Sequence, residues 1–439
     1  MRALATDEQR LALEQWLTET RARTERMLAP LGDGDLERQY DPIMSPLIWD
    51  VGHVANFEEL WLLRELDGRP ACDERLDQVY NPFENPRWVR GDLGILNRRE
   101  AFAYLMEVRR DALAVMRRTE LDPTRPLLRD GYVWSMVAQH EAQHQETMLQ
   151  AMDLRGDLPP YPPVLQRRAR AGRPVDDADR VVIAGGAFEL GTDDVAHAYD
   201  NERPRHLAEL PTFALDRFPV TVRRYAEFVA TGGYERPEWW SPAGWAWRED
   251  AGHDVPQGWF RRRDGDLFVR RFGHAIPLEA NEVVQHVSYW EAEAFCRFAG
   301  GRLPTEAEWE KAARWDPVQR RARRYPWGDE PPDPRRANLD HAAFGPAPAG
   351  AYPLGASAYG VEQLVGDVYE WTSSDFQPYP GYETFPYAEY SEVFFGDGYK
   401  VLRGASWATS STVSRATFRN WDYAKRRQIF SGIRVAYDV

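Results

Sequence analysis

Up to residue 156 the apolar positions recur with the spacing of helices; beyond residue 180 they come in short alternating runs broken by turn residues. Glu8–Leu28 reads as one amphipathic helix. Ser45-Pro46, taken as an N-cap followed by proline at the first helical position, opens a second that runs to about Arg64. A third covers Asn97–Arg118 and a fourth Gly131–Arg155, so the expected architecture for residues 1–156 is an antiparallel four-helix bundle. The longest connection, Glu65–Leu96, carries NPFENPRWVRGD and is too rich in Pro, Asn and Gly to be read as helical. Residues 157–180 hold proline clusters and mixed charge without periodicity, which marks a linker. From 181 to 439 short strands dominate, with helices expected only around Val222–Thr231 and Tyr289–Gly300 and a short one from Thr305 to Arg314, where Thr305 and Glu308 can form a capping box.

Composition narrows the class. A net charge of -14 argues against nucleic acid as the main partner, and no apolar run approaches the roughly 18 residues of a membrane span. The N-terminal MRALATDEQRLALEQW turns charged and helical at once and lacks a signal-peptide core, so a cytoplasmic protein is expected. Cys72 and Cys296, the only cysteines, sit too far apart in sequence to suggest a disulfide framework. The aromatic load, 17 Trp and 20 Tyr, concentrates after residue 180.

With nine histidines in the chain, a metal site has few sources. His140 and His144 lie four residues apart in QHEAQHQETMLQ, about one helical turn, so both imidazoles project from one face. A lone histidine on a helix is most often packed or solvated; two at this spacing on a bundle helix favour a metal. Glu146 would suggest a two-His-one-carboxylate set, but it lies roughly 160° around the helix from the bisector of the two histidines. It faces away and is read as structural or as a support behind the ligands, bonding a neighbouring helix. His53, in IWDVGHVANFEELW on the second helix, is the better third ligand. Three neutral imidazoles leave coordination positions open, which suits Fe(II) with substrate and dioxygen or a catalytic Zn with water.

Residues 1–156, with their HxxxHxE segment, resemble a DinB-type four-helix bundle. The segments GGAFELG (Gly185–Gly191), RLPTEAEWEKAAR (Arg302–Arg314), YPWGD (Tyr325–Asp329), GDVYEWTSS (Gly366–Ser374), VLRGASW (Val401–Trp407) and SGIRVA (Ser431–Ala436) follow one another in the order of the C-type-lectin-like fold of formylglycine-generating enzymes. The fusion of the two, with MSPLIWDVGHVANFEELWLL, HEAQHQETMLQAM and FRNWDYAKRRQIFSGIRVAYD, is similar to the iron-dependent sulfoxide synthases of ergothioneine biosynthesis.

That resemblance implies Fe(II) on His53, His140 and His144, and O2 as cosubstrate for joining a sulfur donor to the imidazole of hercynine, the trimethylated betaine of histidine. It implies that Asn420, Trp421 and Gln143 hold the betaine. The residue types agree, because a quaternary ammonium offers no hydrogen-bond donor and is recognised by aromatic faces. Counting back from NWD through VLRGASW, the family's proton- or electron-donating tyrosine, which also lines the hercynine site, matches Tyr387 in FPYAEYSEVFF, with Tyr390 as the alternative. Arg87 and Arg90 are spaced to clamp the carboxylates of a γ-glutamylcysteine or cysteine donor, with Asp422 for its ammonium. Trp88 between them departs from the family's small residues, and selenoneine synthase, a relative that takes a selenosugar, is the second reading. Asp367 in GDVYEW is a pointer to a structural Ca2+.

Three rival classes fit less well. Formylglycine generation needs a reactive cysteine pair late in the second domain, which this chain lacks. A zinc-dependent DinB-type thiol transferase would use the first domain alone. A glycan-binding module gives no reason for three histidines aligned on two bundle helices.

Overall fold

The computed structural model describes residues 2–156, 158–161, 170–263 and 265–439, with side chains from residue 7 onward. The chain divides into two compact units, Met1–Pro162 with Val195–His197, and Pro163–Asp194 with Ala198–Val439. The expected linker falls partly outside the described residues. No helix among the described residues is long and apolar enough to cross a membrane.

The first unit is built on α1 (Arg2–Leu28), α2 (Asp33–Glu37), α3 (Leu47–Glu58), α4 (Glu74–Tyr80), α5 (Arg98–Arg118) and α6 (Tyr132–Asp153). Helix α3 continues without a break into a π-helical segment, Glu59–Glu65. The buried stripe of α1 carries Leu13, Leu17, Met27 and Leu28, but also Thr20, Arg21 and Thr24. Arg21 belongs to a buried ion quartet with Glu58, Arg109 and Glu141. Arg21 Nε donates to Glu141 at 2.9 Å and its Nη2 to Glu58 at 2.8 Å. Arg109 Nη2 donates to Glu141 at 2.7 Å and its Nε to Glu58 at 2.5 Å. Thr24 Oγ1 adds a bond to Glu141 at 2.7 Å. The quartet ties α1, α3, α5 and α6 through charges that have no water to solvate them, so its geometry is demanding.

Local signals decide some ends and not others. Asn97 caps α5 with a reciprocal Glu100 bond, as its sequence suggests. Ser45 does not cap α3: the helix starts at Leu47 with Pro46 at the cap position, and the Ser45 hydroxyl instead accepts from Arg90 Nη1 at 2.9 Å. The connection expected to be irregular contains α4 and a 3-10 turn at Arg87–Asp92. Burial of Leu76 and Tyr80 and an Asp73 cap stabilise α4 against its poor surroundings. In the loop of the second region, His197 leaves its neighbours for the first unit. Its ring stacks on Trp16, and its carbonyl accepts from Gln139 Nε2 at 3.0 Å.

The second unit opens with β1 (Arg180–Ile183), β2 (Gly186–Leu190), β3 (His206–Leu210) and β4 (Phe213–Asp216). After α7 (Val222–Ala230) comes α8 (Pro242–Ala251), a helix the sequence reading missed. Its signal was present: Ser241 accepts from Gly244 N, Pro242 stands at the first helical position and Gly252, at φ +65°, ends it. A meander follows, β5 (Trp259–Arg261), β6 (Leu267–Arg271) and β7 (His274–Pro277), then α9 (Tyr289–Phe298) and α10 (Glu306–Arg314) with its Thr305–Glu308 box. Short β8 (Trp315–Asp316) and β9 (Arg321–Ala322) precede β10 (Tyr369–Phe376), β11 (Gly396–Gly404), β12 (Arg419–Asp422), β13 (Ser431–Gly432) and β14 (Ala436–Asp438). The largest sheet runs β12–β11–β10–β13, antiparallel except for the β10–β13 pair, and a second runs β1–β4–β14. Trp309, Trp371 and Trp407 fill the interior, where Arg403 and Arg419 share Glu306 and Arg434 grips Glu370 at 2.7 Å.

Candidate metal centre

Helices α3 and α6 bring His53, His140 and His144 together, with one ring nitrogen of each within 4.8 Å of the others. Among the described residues this is the one cluster of three or more His, Cys, Asp or Glu side chains that could hold a metal. Glu146 is buried and outside it. Burial, reinforced by the neighbouring His144, holds His53 and His140 well below the usual histidine range, so both are neutral. Neutral imidazole is the form that ligates.

Two rings are oriented by hydrogen bonds. His53 Nδ1 lies 2.8 Å from the Tyr80 carbonyl, which can only accept, so the proton sits on Nδ1 and Nε2 keeps its lone pair. His144 Nδ1 lies 2.8 Å from Asp50 Oδ1, which assigns it the same tautomer. His140 is held differently, by stacking on Phe57 at 3.7 Å, and its Nδ1 is buried without a hydrogen-bond partner. Three converging rings, two of them held neutral and one with an orphaned buried nitrogen, fit a divalent transition metal.

The sequence reading missed these supports, although Asp50 and Phe57 stand one helical turn to either side of His53. Trp49 stacks on His53 at 4.9 Å and donates to the Val79 carbonyl at 3.0 Å. A Cβ on Gly52 would lie 2.2 Å from the Tyr80 ring, so the close packing that brings the Tyr80 carbonyl to His53 needs glycine there. Asp50→Ala, which removes the His144 anchor, is expected to weaken metal binding about 10–100-fold while the bundle stays folded. Metal titration beside far-UV circular dichroism checks this; unchanged affinity would remove Asp50 from the site.

The other predicted residues fall as follows. Gln143 is half-buried on α6, beside His144. Arg90 is buried: its guanidinium covers the Trp49 ring at 3.7 Å and donates to the Asn85 and Pro82 carbonyls and to Ser45 Oγ. Burial pushes it down to about 10. Arg87 Nη1 donates to the Ile43 carbonyl at 3.0 Å, and Trp88 between them is 66% exposed. In the second unit, Asn420 and Trp421 pair with Leu402 and Val401 on β11. Trp421 stacks on Phe376 at 4.1 Å, with Phe394 at 5.6 Å and Tyr390 edge-on at 5.9 Å. Tyr387 lies 6.3 Å from Tyr390, ring to ring. Asp422 accepts from Tyr423 N and Gln428 Nε2. Asp367 is fully buried and its oxygens accept from Asn338, Ala347 and Gln363, so three N–H groups occupy the lone pairs a calcium ion would need. Cys296, the single cysteine of the second unit, is buried, and burial pushes its thiol up.

Residues 166–439 match the Sulfatase-modifying factor enzyme 1-like domain family and residues 17–148 the DinB superfamily. Over its whole length the chain is similar to curated proteins named hercynine oxygenase. It is 47% identical to that of Mycolicibacterium smegmatis, over 98% of this chain and 99% of that protein. It is 46% identical to that of Mycolicibacterium thermoresistibile, over 98% and 95%. For the Mycobacterium tuberculosis protein the identity is 46%, over 96% and 98%.

Proposed function

The chain belongs to the hercynine oxygenase family, and on that premise we propose that it is an oxygenase that binds Fe(II) through His53, His140 and His144 and acts on hercynine. The observation that carries the reading is the convergence of three histidine ring nitrogens within 4.8 Å in a bundle of this ancestry. The reaction joins imidazole C2 of hercynine to the sulfur of γ-glutamylcysteine or cysteine. The balance is RSH + R′H + O2 giving RS(O)R′ + H2O: a C–S bond forms, a C–H and an S–H bond break, and O2 is reduced by four electrons.

A ferrous ion on three neutral imidazoles, when bound, supplies dioxygen activation and open positions for substrate. The remaining work belongs to this chain's own residues. Asp50 and the Tyr80 carbonyl fix the tautomers of two ligands. Trp421 offers the trimethylammonium an aromatic face, and Asn420 and Gln143 hold the polar parts of the betaine. Tyr387 carries, on its phenol oxygen, the proton that the reduction of oxygen consumes. Arg87 and Arg90 answer the donor's carboxylates, and Asp422 its ammonium.

One observation favours a second reading. Arg90 is spent on carbonyls, a hydroxyl and an indole, and exposed Trp88 stands beside Arg87, a loop less suited to two carboxylates than to a sugar face. A selenosugar donor is that alternative: a C–Se bond forms as a C–H and an Se–H bond break, with O2 reduced as in the sulfur reaction. Fe(II)-reconstituted protein with hercynine and O2, offered γ-glutamylcysteine, cysteine and a selenosugar in competition, is expected to yield a C–S product by mass spectrometry. A selenium product moves the chain to the second reading. Turnover that needs zinc and not O2 sinks both.

A further inference from the structure

The tetrapeptide Tyr199–Glu202, a turn in the loop between β2 and β3, has no role in the chemistry above, yet each of its residues grips a segment proposed to face substrate. Asp200, 1% exposed, accepts from three groups of a single loop: Tyr382 Oη at 2.7 Å, Phe385 N at 3.1 Å and Ser391 Oγ. These three donors bracket Tyr387 and Tyr390 on both sides. Asn201 Nδ2 donates to the same Ser391 Oγ at 3.0 Å. Tyr199 lies face to face with the Tyr390 ring at 4.1 Å.

The same turn holds the strand that carries Asn420 and Trp421. The Asn201 carbonyl accepts from Arg419 Nη1 at 2.7 Å, one residue before Asn420. Glu202 accepts from Arg415 Nε at 2.8 Å and from Thr417 Oγ1 at 2.7 Å. Its other oxygen closes the turn on Tyr199 N at 2.9 Å, so the four residues form one rigid unit.

We propose that Tyr199–Glu202, with Asp200 at its centre, is the positioning element that sets the tyrosine loop 382–391 against the Asn420–Trp421 strand, and so fixes where the phenol stands relative to the bound betaine. The proposal rests on the functional reading above. A loop of about ten residues has many near-equal conformations, and ordering it costs conformational entropy. Three hydrogen bonds to one buried carboxylate offset part of that cost, and charge-assisted bonds are the stronger kind. Burial raises the Asp200 carboxyl, and the hydrogen bonds from Ser391, Tyr382 and Phe385 N oppose part of that shift. Neither Asp200 nor its neighbours touch the reacting atoms, so their effect passes through Tyr387, Tyr390 and Trp421.

The test uses the full-length, Fe(II)-loaded protein. Asp200→Ala is expected to lower kcat about tenfold or more and to raise the hercynine KM several-fold, with bound iron per chain and the donor KM unchanged. Asp200→Asn, which keeps an oxygen for Tyr382 and Phe385, is expected to recover part of kcat. Ser391→Ala, which removes one of the three bonds to Asp200 together with the Asn201 bond to the same hydroxyl, is expected to shift the same two constants in the same direction by a smaller factor, with circular dichroism unchanged. A merely structural role would lower the melting temperature and leave kcat and KM per bound iron alone. If Asp200→Ala and Ser391→Ala both stay within twofold of the parent while Tyr387→Phe or Tyr390→Phe impairs turnover, the positioning role is overturned and the functional reading stands. If neither tyrosine variant changes turnover, the functional reading of the loop fails instead.

Discussion

His53→Ala is expected to abolish Fe(II) retention and, with it, all oxygen-dependent turnover. The two histidines on α6 share one helix and are a turn apart, so alone they offer only a two-point hold that is common on helix surfaces. His53 comes from α3 and closes the set; its ring centroid lies 5.0 Å from that of His140 and 4.7 Å from that of His144. Loss of a group that merely orients a ligand costs about 10–100-fold in affinity, and loss of the ligand itself is expected to exceed this. The fold should persist, because His53 is neutral and shares no ion pair whose loss would leave a charge buried. Iron per chain after gel filtration, read beside far-UV circular dichroism, decides it. A folded His53→Ala protein with parental iron content would refute the three-histidine site.

Arg109→Leu is expected to destabilise the first unit by about 3–5 kcal/mol, because it leaves Glu58 and Glu141 buried with only Arg21 between them. The pH dependence carries a sign that can be checked. Burial alone would raise the Glu141 carboxyl, but Arg21 and Arg109 outweigh it and hold it at about 2, below its ordinary 4.5. A depressed folded value means the contribution is complete above about pH 4.5 and is lost as pH falls toward 2. Removing Arg109 raises the carboxyl, so the acid-unfolding midpoint of the variant should move up. Replacing all four charged residues with apolar ones of similar volume is expected to be neutral or stabilising, since no charge is then left unpaired. Calorimetry at pH 7 and an acid titration followed by circular dichroism measure both; an Arg109→Leu protein within about 1 kcal/mol of the parent would show that the quartet is not the constraint its geometry implies.

How much of this was legible beforehand varies residue by residue. Asn97 and Glu100, or Thr305 and Glu308, are three apart and bond to each other's backbone, so their caps can be read locally. The Ser-Pro signature shows the limit of such reading. At Ser45 a buried guanidinium takes the hydroxyl, whereas at Ser241 the serine does cap. Nothing near either serine in sequence distinguishes the two cases. Arg90 makes the same point. Its spacing from Arg87 reads as a cationic clamp, while the ring it covers belongs to Trp49, 41 positions earlier.

The sequence by itself determined the two-part architecture, and it singled out the His140–His144 pair and turned Glu146 away from it, because that pairing rests on an angle set by backbone geometry within one helix. Only the tertiary structure decided what surrounds them. Asp50 beside His144, the Tyr80 carbonyl beside His53, the ion quartet across α1, α3, α5 and α6 and Asp200 beside the tyrosine loop all join residues far apart in the chain. A hydrogen bond forms over about 3 Å whatever the sequence separation. Its partner is therefore chosen by how helices and loops pack, and the local pattern of either residue does not record that choice.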